Sequence, residues 1–332
     1  MATYNEIKGD TIEVRATDPT NPVEGEVWYN STTGVIKGYQ TIAAAWASGG
    51  ASANGASSRI GFGIQTAGIA AGGANLADNQ TFVEEYNGST WSSETAMPVK
   101  RQDGGGAGTT TAGLVWCGEG ATNLNTSIEY DGSTWTSGGN YPITARGVRG
   151  SGTQTAAISD GGGTPSPAAS NVSAEYNGTA WTAGNNLPTN RIAAATSGTQ
   201  TAALATTGKD AVPNASVSNY NTSYDGTSWT VETAYPLALR QAVSTGTSSS
   251  ANLVAGGLGD GPFSEAVVST NSWNGTSWTA EPDLSTKVTH GNGAGTSSAS
   301  FINGGIQDYP SFPTTTQDFT AAFVGTKTFT TS

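Results

Sequence analysis

The segment Glu85-Tyr86-Asn87-Gly88-Ser89-Thr90-Trp91 decides the fold, because versions of it recur along most of the chain. Each version contains an aromatic residue, a short turn and a second aromatic residue. Consecutive second aromatics lie 44 to 51 residues apart, so the chain contains seven such pairs in a regular repeat. The other second aromatics, the first and last being the least regular copies, are Trp46, Trp135, Trp181, Trp229, Trp278 and Phe329.

A second marker repeats in register with the aromatic pairs. It is a glycine followed by a polar pair and a short apolar run, as in residues 152–158. Two markers that share one period establish the repeat. Their numbers differ, however, because there are six glycine turns and seven aromatic pairs. The number of repeat units therefore stays open between six and seven. The six glycines are Gly63, Gly108, Gly152, Gly198, Gly246 and Gly295.

Each unit is interpreted as four strands. The first strand leads into the glycine turn, the second leaves it, the third contains the first aromatic residue and the fourth contains the tryptophan. Asn-Gly or Asp-Gly dipeptides separate the third and fourth strands, and such dipeptides favour tight type I′ hairpins. These dipeptides begin at Asn87, Asp131, Asn177, Asp225 and Asn274.

Repeated four-stranded units of about 40 to 50 residues are typical of a β-propeller. The sequence resembles the kelch family in three features: a basic residue before the first strand, paired glycines such as Gly72-Gly73 after the second, and tyrosine then tryptophan in the outer strands. It departs from that family in its shorter tyrosine-to-tryptophan gap and its inner strands rich in Ser, Thr and Ala. We therefore expect an all-β protein with a six-bladed kelch-like β-propeller over residues 55–332.

The first 45 residues differ from the repeats and carry more charge. Residues 26–30 and 35–39 read as two strands joined through residues 31–34, which predicts a small β-hairpin. Residues 46–54 are expected to form a neck between this segment and the propeller. In the alternative arrangement, residues 26–46 form a partial seventh blade that closes the ring by joining N- and C-terminal strands.

Composition excludes several function classes. The formal net charge of −12 and the pI near 4.4 disfavour binding to a nucleic-acid backbone. One cysteine, Cys117, and one histidine, His290, cannot form a disulfide or a Cys/His metal cluster, so we expect no metal and no cofactor. Cys117, in an apolar run, is expected to be a buried and inert thiol, and His290 is expected to be a structural or surface residue. No stretch has the length of a membrane span, and residues 1–6 do not open as a signal peptide.

Antiparallel blades sort their loops onto two faces. The glycine turns and Asn-Gly turns share one face and are uniform, whereas the other face carries loops that vary: residues 164–167, 209–213, 258–263 and 307–312. Variable loops on a rigid scaffold are the usual place for binding. The alternative is that they pack on each other and shield the rim. The candidate ligand- or partner-binding residues are Lys209, Asp210, Asp260, Phe263, Asp308, Tyr309 and Phe312.

Repeated basic residues such as Arg101, Arg146, Arg191 and Arg240 precede the first strands and are interpreted as structural, although arginines near the channel could also bind a carboxylate. Catalysis is not expected, and no catalytic residue is assigned. The segment Asp131-Gly132-Ser133-Thr134-Trp135 resembles the Asp-box of sialidase propellers but lacks the full spacing of that motif. A glycosidase needs two placed carboxylates, about 5 to 9.5 Å apart. The available acids are scattered singly over different units: Asp160, Asp210, Asp260 and Asp308.

Residues 3–9 and 21–34 resemble segments that open structural proteins of marine tailed bacteriophages of the cyanophage and pelagiphage type. The shared features are a Gly-x-Val-Trp-Tyr-Asn hairpin and a following repeat region rich in Ser, Thr and Gly. The resemblance implies a virion protein that is assembled in the host cytoplasm and released by lysis. Residues 1–45, with Trp28, Tyr29 and Tyr39, would then bind other virion proteins or form a homo-oligomer.

The expected function is that of a non-enzymatic, tail-fibre-like adhesin whose variable loops bind a host surface glycan or protein. We expect neither nucleic-acid binding nor membrane insertion. Two alternatives remain open at this point. One is a capsid fibre, decoration or adaptor protein in which the propeller is a spacer, and the other is a sialidase-like enzyme that processes glycans.

Overall fold

The computed structural model describes residues 12–164, 169–210, 216–259, 265–307 and 311–329. Over these ranges the regular secondary structure is β-strand, and no helix there has the length and apolar character needed to cross a bilayer. The chain divides into two compact units. One comprises the residues up to 45 together with those from 321 onward, and the other comprises residues 46–320.

The larger unit is a β-propeller with six four-stranded blades, counted over the described residues, which confirms the expected fold class. The strands of the first three blades are Ile60–Ile64, Ala67–Ala71, Val83–Tyr86 and Trp91–Glu94; Gly105–Thr109, Ala112–Trp116, Ser127–Tyr130 and Trp135–Ser137; Arg146–Thr153, Ala156–Gly163, Ser173–Tyr176 and Trp181–Ala183. Those of the other three are Ala195–Thr199, Ala202–Thr206, Asn221–Tyr224 and Trp229–Val231; Val243–Ser248, Ala251–Ala255, Thr270–Trp273 and Trp278–Glu281; Asn292–Gly295, Ala299–Asn303, Thr316–Thr320 and Ala45–Gly49. A two-stranded ladder, Leu239–Arg240 with Leu258–Gly259, adjoins the fifth blade in sequence.

The first strand of each blade contacts the first strand of the next, and that of blade six contacts that of blade one, so the ring is closed. This crowding around the axis explains why the inner strands are rich in small residues. A Cβ atom on Gly106 would lie 2.6 Å from Cγ2 of Ile60, and one on Gly61 would lie 2.8 Å from the carbonyl oxygen of Gly293. Larger side chains at these positions would force the blades apart.

The tyrosines and tryptophans of the outer strands join neighbouring blades. Tyr86 and Trp91 stack with ring centroids 4.9 Å apart, and the Trp91 indole donates a hydrogen bond to the carbonyl oxygen of Gly50 in blade six at 3.1 Å. The Tyr176 hydroxyl donates to Glu129 in blade two at 2.5 Å. Buried aromatic rings with satisfied polar tips stabilise such contacts by packing and hydrogen bonding together. The repeated aromatics are therefore fixtures of blade packing.

The Asn-Gly and Asp-Gly turns are not the expected type I′ hairpins. Tyr86 pairs with Trp91, which leaves four residues in the loop, and only Gly88 has a positive φ, of 89°. The Asn87 side chain instead accepts hydrogen bonds from the backbone N–H groups of Ser89 and Thr90 at 3.0 and 2.9 Å. The first residue thus acts through its side chain as an Asx turn, and only the glycine needs the left-handed conformation.

The structure also differs from the expected unit boundaries. Residues 45–49 form the fourth strand of blade six, where a neck over 46–54 was expected, and the Trp46 indole donates to the Pro282 carbonyl oxygen in blade five at 3.0 Å. This contact repeats the one that Trp91 makes with Gly50. The chain thus closes its ring by placing an N-terminal strand beside C-terminal ones, but this strand completes a sixth blade and does not begin a seventh.

The smaller unit is one four-stranded sheet in which the strands follow the order Glu13–Arg15, Val27–Asn30, Val35–Ile42 and Phe323–Phe329. The two central strands form the expected N-terminal hairpin. The last strand pairs with the hairpin so that Phe329 lies opposite Ile36. Phe329, the seventh aromatic of the repeat, therefore does not belong to blade six, because Trp46 already occupies that position.

Candidate functional site

Six residues, one from each blade, form a backbone ring at the start of the first strands. All six adopt the left-handed conformation, with φ between 52° and 62°, although only one of them is glycine. The backbone N–H of each donates to the carbonyl oxygen of its counterpart in the preceding blade at 2.7 to 3.2 Å, and Ser58 closes the circle by donating to His290. We call this the mouth ring. Its members are Ser58, Asp103, Gly147, Ala193, Gln241 and His290.

The mouth ring lies at the end of the channel where the variable loops and blade connections meet. A cavity of about 360 Å³ opens there, and all members of the ring except Ser58 line it. We call it the mouth cavity. A volume of this size falls within the range of small-molecule binding sites. The charged residues that line the cavity come from four different blades or the connections before them: Asp103, Arg146, Lys209, Asp210 and Arg240.

Three side chains form a hydrogen-bonded group beside the cavity. An Nη2 atom of Arg149 lies 3.2 Å from Oδ1 of Asp103 and donates to Oε1 of Gln241 at 2.7 Å. Burial has the largest single effect on the pKa of Asp103 and raises it, but the charge and hydrogen bond of Arg149, together with the effects of His290 and Gln241, outweigh burial and hold the pKa below its ordinary value. Asp103 is therefore ionised near neutral pH and is already engaged with Arg149.

His290 stands beside this group as a neutral imidazole near pH 7. Burial lowers its pKa to about 4, and the charges of Arg240 and Arg149 act in the same direction while Asp103 opposes them. Its Nδ1 atom lies 3.0 Å from the hydroxyl oxygen of Thr289. A neutral imidazole can both donate and accept one hydrogen bond, which suits it to contact hydroxyl groups.

The repeated arginines separate into two groups. Arg101 and Arg191 are fully buried, and the Arg101 guanidinium donates to the carbonyl oxygens of Cys117 and Thr126 at 2.9 and 3.1 Å. This confirms the structural interpretation for these two. Arg146 and Arg240 stand one position closer to the mouth ring and line the cavity instead.

The predicted binding residues have different outcomes. Lys209 and Asp210 line the mouth cavity. Phe312 is half-buried in the connection before the third strand of blade six, and its carbonyl oxygen lies against Gly55. It is not among the residues that line the cavity. The other predicted residues, Asp260, Phe263, Asp308 and Tyr309, lie outside the described ranges, as do residues 165–167 and 211–213 of the variable loops.

The three aromatic residues assigned to attachment lie in the smaller unit. Trp28 is fully buried, and its indole donates to Oδ1 of Asp18 at 3.0 Å. Its ring is therefore part of the interior and is not a surface anchor in this structure. Tyr29 and Tyr39 are half-buried.

Sequence reasoning missed the central group of the site: Asp103, Arg149, Gln241 and His290. The sequence did contain a pattern that identifies these positions. Each member of the mouth ring stands five residues before the turn glycine of its blade. Read in that register, the six blades show Ser, Asp, Gly, Ala, Gln and His at one position. Variation at a single position of an otherwise regular repeat indicates a surface that is free to specialise.

Two further acids, Asp131 and Asp160, are not among the residues that line the mouth cavity. Asp131 accepts hydrogen bonds from the backbone and hydroxyl groups of Thr134 and Ser133, which lower its pKa, so the Asp-box-like segment is a turn. Asp160 is buried, and its carboxyl oxygens have no hydrogen-bond partner among the described residues. The described parts of the chain contain no group of three His, Cys, Asp or Glu residues placed to hold a metal ion.

The opposite end of the channel is narrow and uncharged. A cavity of about 100 Å³ opens there, lined by the first strands of all six blades and their glycine turns. Glycine, alanine, serine and threonine dominate this lining, and none of its residues carries a charge. The glycine-turn end therefore presents no charged side chain, in contrast to the variable-loop end.

Comparison with known proteins identifies the architecture only. A solved structure described as the structure of YjhT superposes with a TM-score of 0.69 at 13% sequence identity, and the match covers 83% of this chain and 99% of that one. The likeness supports the β-propeller fold, and at this identity it supports nothing about function. No protein-family model and no curated protein matches the sequence.

Proposed function

We propose that this chain is a non-enzymatic surface protein of a tailed-bacteriophage virion, a tail-fibre-like adhesin that binds a host surface glycan or protein. The observation that carries the proposal is the mouth cavity, an opening of about 360 Å³ at the variable-loop end of a closed six-bladed ring. Side chains from several blades converge there on a rigid scaffold, which is the usual arrangement of a binding site.

The contrast between the two channel ends supports this proposal. The glycine-turn end is narrow and lined by small uncharged residues, whereas the variable-loop end carries five charged residues together with Gln241 and His290. A propeller that served only as a spacer would not need this difference. In the proposed protein, the smaller unit connects the propeller to other virion proteins or to further copies of the chain.

Electron cryomicroscopy of the particle that carries this chain tests the proposal. We expect propellers on the particle exterior with the mouth cavity facing outward, and purified full-length chain that binds host cells and competes with adsorption of the particle. Propellers whose mouth cavities are covered by another virion protein would contradict the adhesin role. They would favour the capsid fibre, decoration or adaptor alternative.

One observation favours a glycan-processing enzyme as a second candidate. Asp103 and Asp210 come from different blades and line the same cavity, and a pair of converging acids is what glycoside hydrolysis requires. Against this, Asp103 is tied to Arg149 and Gln241, and its pKa is lowered, whereas a general acid needs a raised one.

Incubation of the full-length chain with host surface polysaccharide separates the two candidates. We expect no new reducing ends and no change in product size. Release of oligosaccharides that is abolished by Asp210→Asn would establish the enzyme and overturn the non-enzymatic proposal.

A further inference from the structure

We infer that the mouth cavity binds an anionic sugar, one that bears a carboxylate, and discriminates against neutral sugars. This inference rests on the proposed glycan-binding function and names the class of ligand. It is carried by the positive side chains that the fold gathers at the variable-loop end of the channel.

The cavity differs in charge from the rest of the protein. The chain has 13 basic and 25 acidic residues, yet three basic residues and two acidic ones line the mouth cavity. Arg149 adds a fourth positive charge directly behind Asp103. A cleft with a positive excess on an otherwise acidic protein attracts anions locally, because the surrounding protein has a low dielectric constant and focuses the field into the opening.

Only some of these positive side chains are available to a ligand. Arg146 lies 2.7 Å from Glu119, and Arg149 is engaged with Asp103 and Gln241. The guanidinium of Arg240 and the ammonium of Lys209 have no hydrogen bond or ion pair with any side chain in the described part of the protein. These two cations are therefore the ones that an incoming carboxylate can engage.

The cavity also contains polar groups that can form hydrogen bonds with sugar hydroxyls. Oδ1 of Asp210 is buried and has no hydrogen-bond partner within the ranges that the structure describes, so it can accept a hydrogen bond from a sugar hydroxyl. His290 is neutral and can exchange hydrogen bonds with hydroxyls in either direction. The cavity thus combines cations for a carboxylate with neutral or acceptor groups for the hydroxyls around a sugar ring.

An apolar side chain also lines the cavity. Ile192 lines the cavity and packs against Gly147 and Gly163, where added Cβ atoms would lie only 2.5 and 2.6 Å from its side chain. These two glycines leave the space that Ile192 occupies. An apolar side chain beside polar groups suits the C–H face of a pyranose ring, which a simple inorganic anion does not have.

The test is an array of neutral, carboxylated and sulfated oligosaccharides probed with the full-length chain. Calorimetry follows with a galacturonic acid trisaccharide and its methyl ester, in which each carboxylate is replaced by an uncharged ester that is one methyl group larger. The variants are Arg240→Gln and Lys209→Gln, which remove a positive charge with little change in size. Lys100→Gln is the matched control, because Lys100 loses the same charge from an exposed ion pair with Asp78 outside the cavity.

We expect carboxylated sugars to dominate the array and the trisaccharide to bind at least about tenfold more tightly than its ester, since a charge-assisted pair supplies that much. Arg240→Gln and Lys209→Gln should each weaken binding by about tenfold, and Lys100→Gln should leave it unchanged. Binding should also weaken as salt is added.

The possible failures are distinguishable. Binding of neutral or only sulfated sugars, unaffected by Arg240→Gln and Lys209→Gln, would overturn the inference while leaving the adhesin proposal intact. Absence of binding to every sugar class, together with absence of binding to host cells, would overturn both.

Discussion

At the scale of single residues, one position in the repeat separates a buried structural arginine from one that lines the mouth cavity. Arg101 is fully buried and donates to backbone carbonyl oxygens, whereas Arg240 lines the mouth cavity. We expect Arg101→Ala to lower the free energy of unfolding by about 3 kcal/mol, because it leaves buried acceptors unsatisfied and creates a void. Urea denaturation measures this change.

Arg240→Ala serves as the control for Arg101→Ala, since both remove the same side chain from neighbouring repeat positions. We expect it to change the urea midpoint little, because its guanidinium is only partly buried and has no ion-pair partner in the part of the chain described. Equal destabilisation by the two substitutions would show that the arginines share one structural role.

Asp160 makes stability depend on pH. Burial raises its pKa from 3.8 to about 6, against the opposing effects of Thr196, Arg191 and Arg149. A carboxyl whose pKa is raised by folding favours the folded state below pH 3.8, and this contribution is lost as pH rises through 6. The ionised form therefore costs the folded protein about 3 kcal/mol at pH 8, since one pKa unit corresponds to about 1.4 kcal/mol.

Asp160→Asn tests this effect, because asparagine has nearly the same shape and does not ionise. Relative to the parent chain, we expect the variant to gain about 3 kcal/mol in unfolding free energy between pH 3.5 and pH 8, measured with urea at both values. Asp78→Asn is the control, because hydrogen bonding to Lys100 lowers the pKa of that exposed carboxyl. Parallel stability profiles for Asp160→Asn and the parent would contradict the assignment.

At the scale of the strand, Trp46 shows how the sixth blade is completed. It contacts Phe319 with ring centroids 5.1 Å apart and donates to the Pro282 carbonyl oxygen. We expect Trp46→Ala to destabilise the propeller by about 2 kcal/mol, through lost apolar burial and a lost inter-blade hydrogen bond. Trp91→Ala, at the equivalent position of blade one, should have a similar effect.

Hydrogen–deuterium exchange of peptides from blade six checks whether the destabilisation by Trp46→Ala is located in that blade. Trp46→Ala should speed exchange in Thr316–Thr320, the strand beside Ala45–Gly49. Phe329→Ala is the control, because Phe329 closes the repeat in sequence but pairs with Ile36 in the smaller unit. Faster exchange of blade six in Phe329→Ala, without it in Trp46→Ala, would restore the sequence-based assignment.

At the scale of the whole molecule, residues 45–49 complete blade six although they are distant in sequence from its other three strands. We expect a chain of residues 44–320 to melt as a single cooperative transition, and a chain of residues 51–320 to melt at a lower temperature and less cooperatively. The shorter chain leaves the third strand of blade six as an unpaired edge beside blade one. Circular dichroism with heating measures both. Identical melting curves would contradict a closing role for residues 45–49.

The predictable and unpredictable parts of the fold follow from the range of the interactions. Local sequence patterns predict the repeat, the four strands per blade and the hairpin near the N-terminus, because strand alternation and turn glycines act over a few residues. The Asn-Gly dipeptides located the turns correctly, but the turn type was wrong. Tyr86 pairs with Trp91 across four residues, and both rings pack against Phe301 of the neighbouring blade, a contact that the local sequence does not encode.

By itself, the sequence determined an all-β propeller of repeated blades and the face that carries the variable loops. It also predicted Lys209 and Asp210 as binding residues, and the structure places both at the mouth cavity. Only the tertiary structure decided that Trp46 and not Phe329 completes blade six, and that Asp103, Gln241 and His290 meet around the channel. Those residues come from different blades, about 50 to 190 positions apart in the chain. Ring closure brings them together, and closure is a contact between the two ends of the repeat array that no local pattern records.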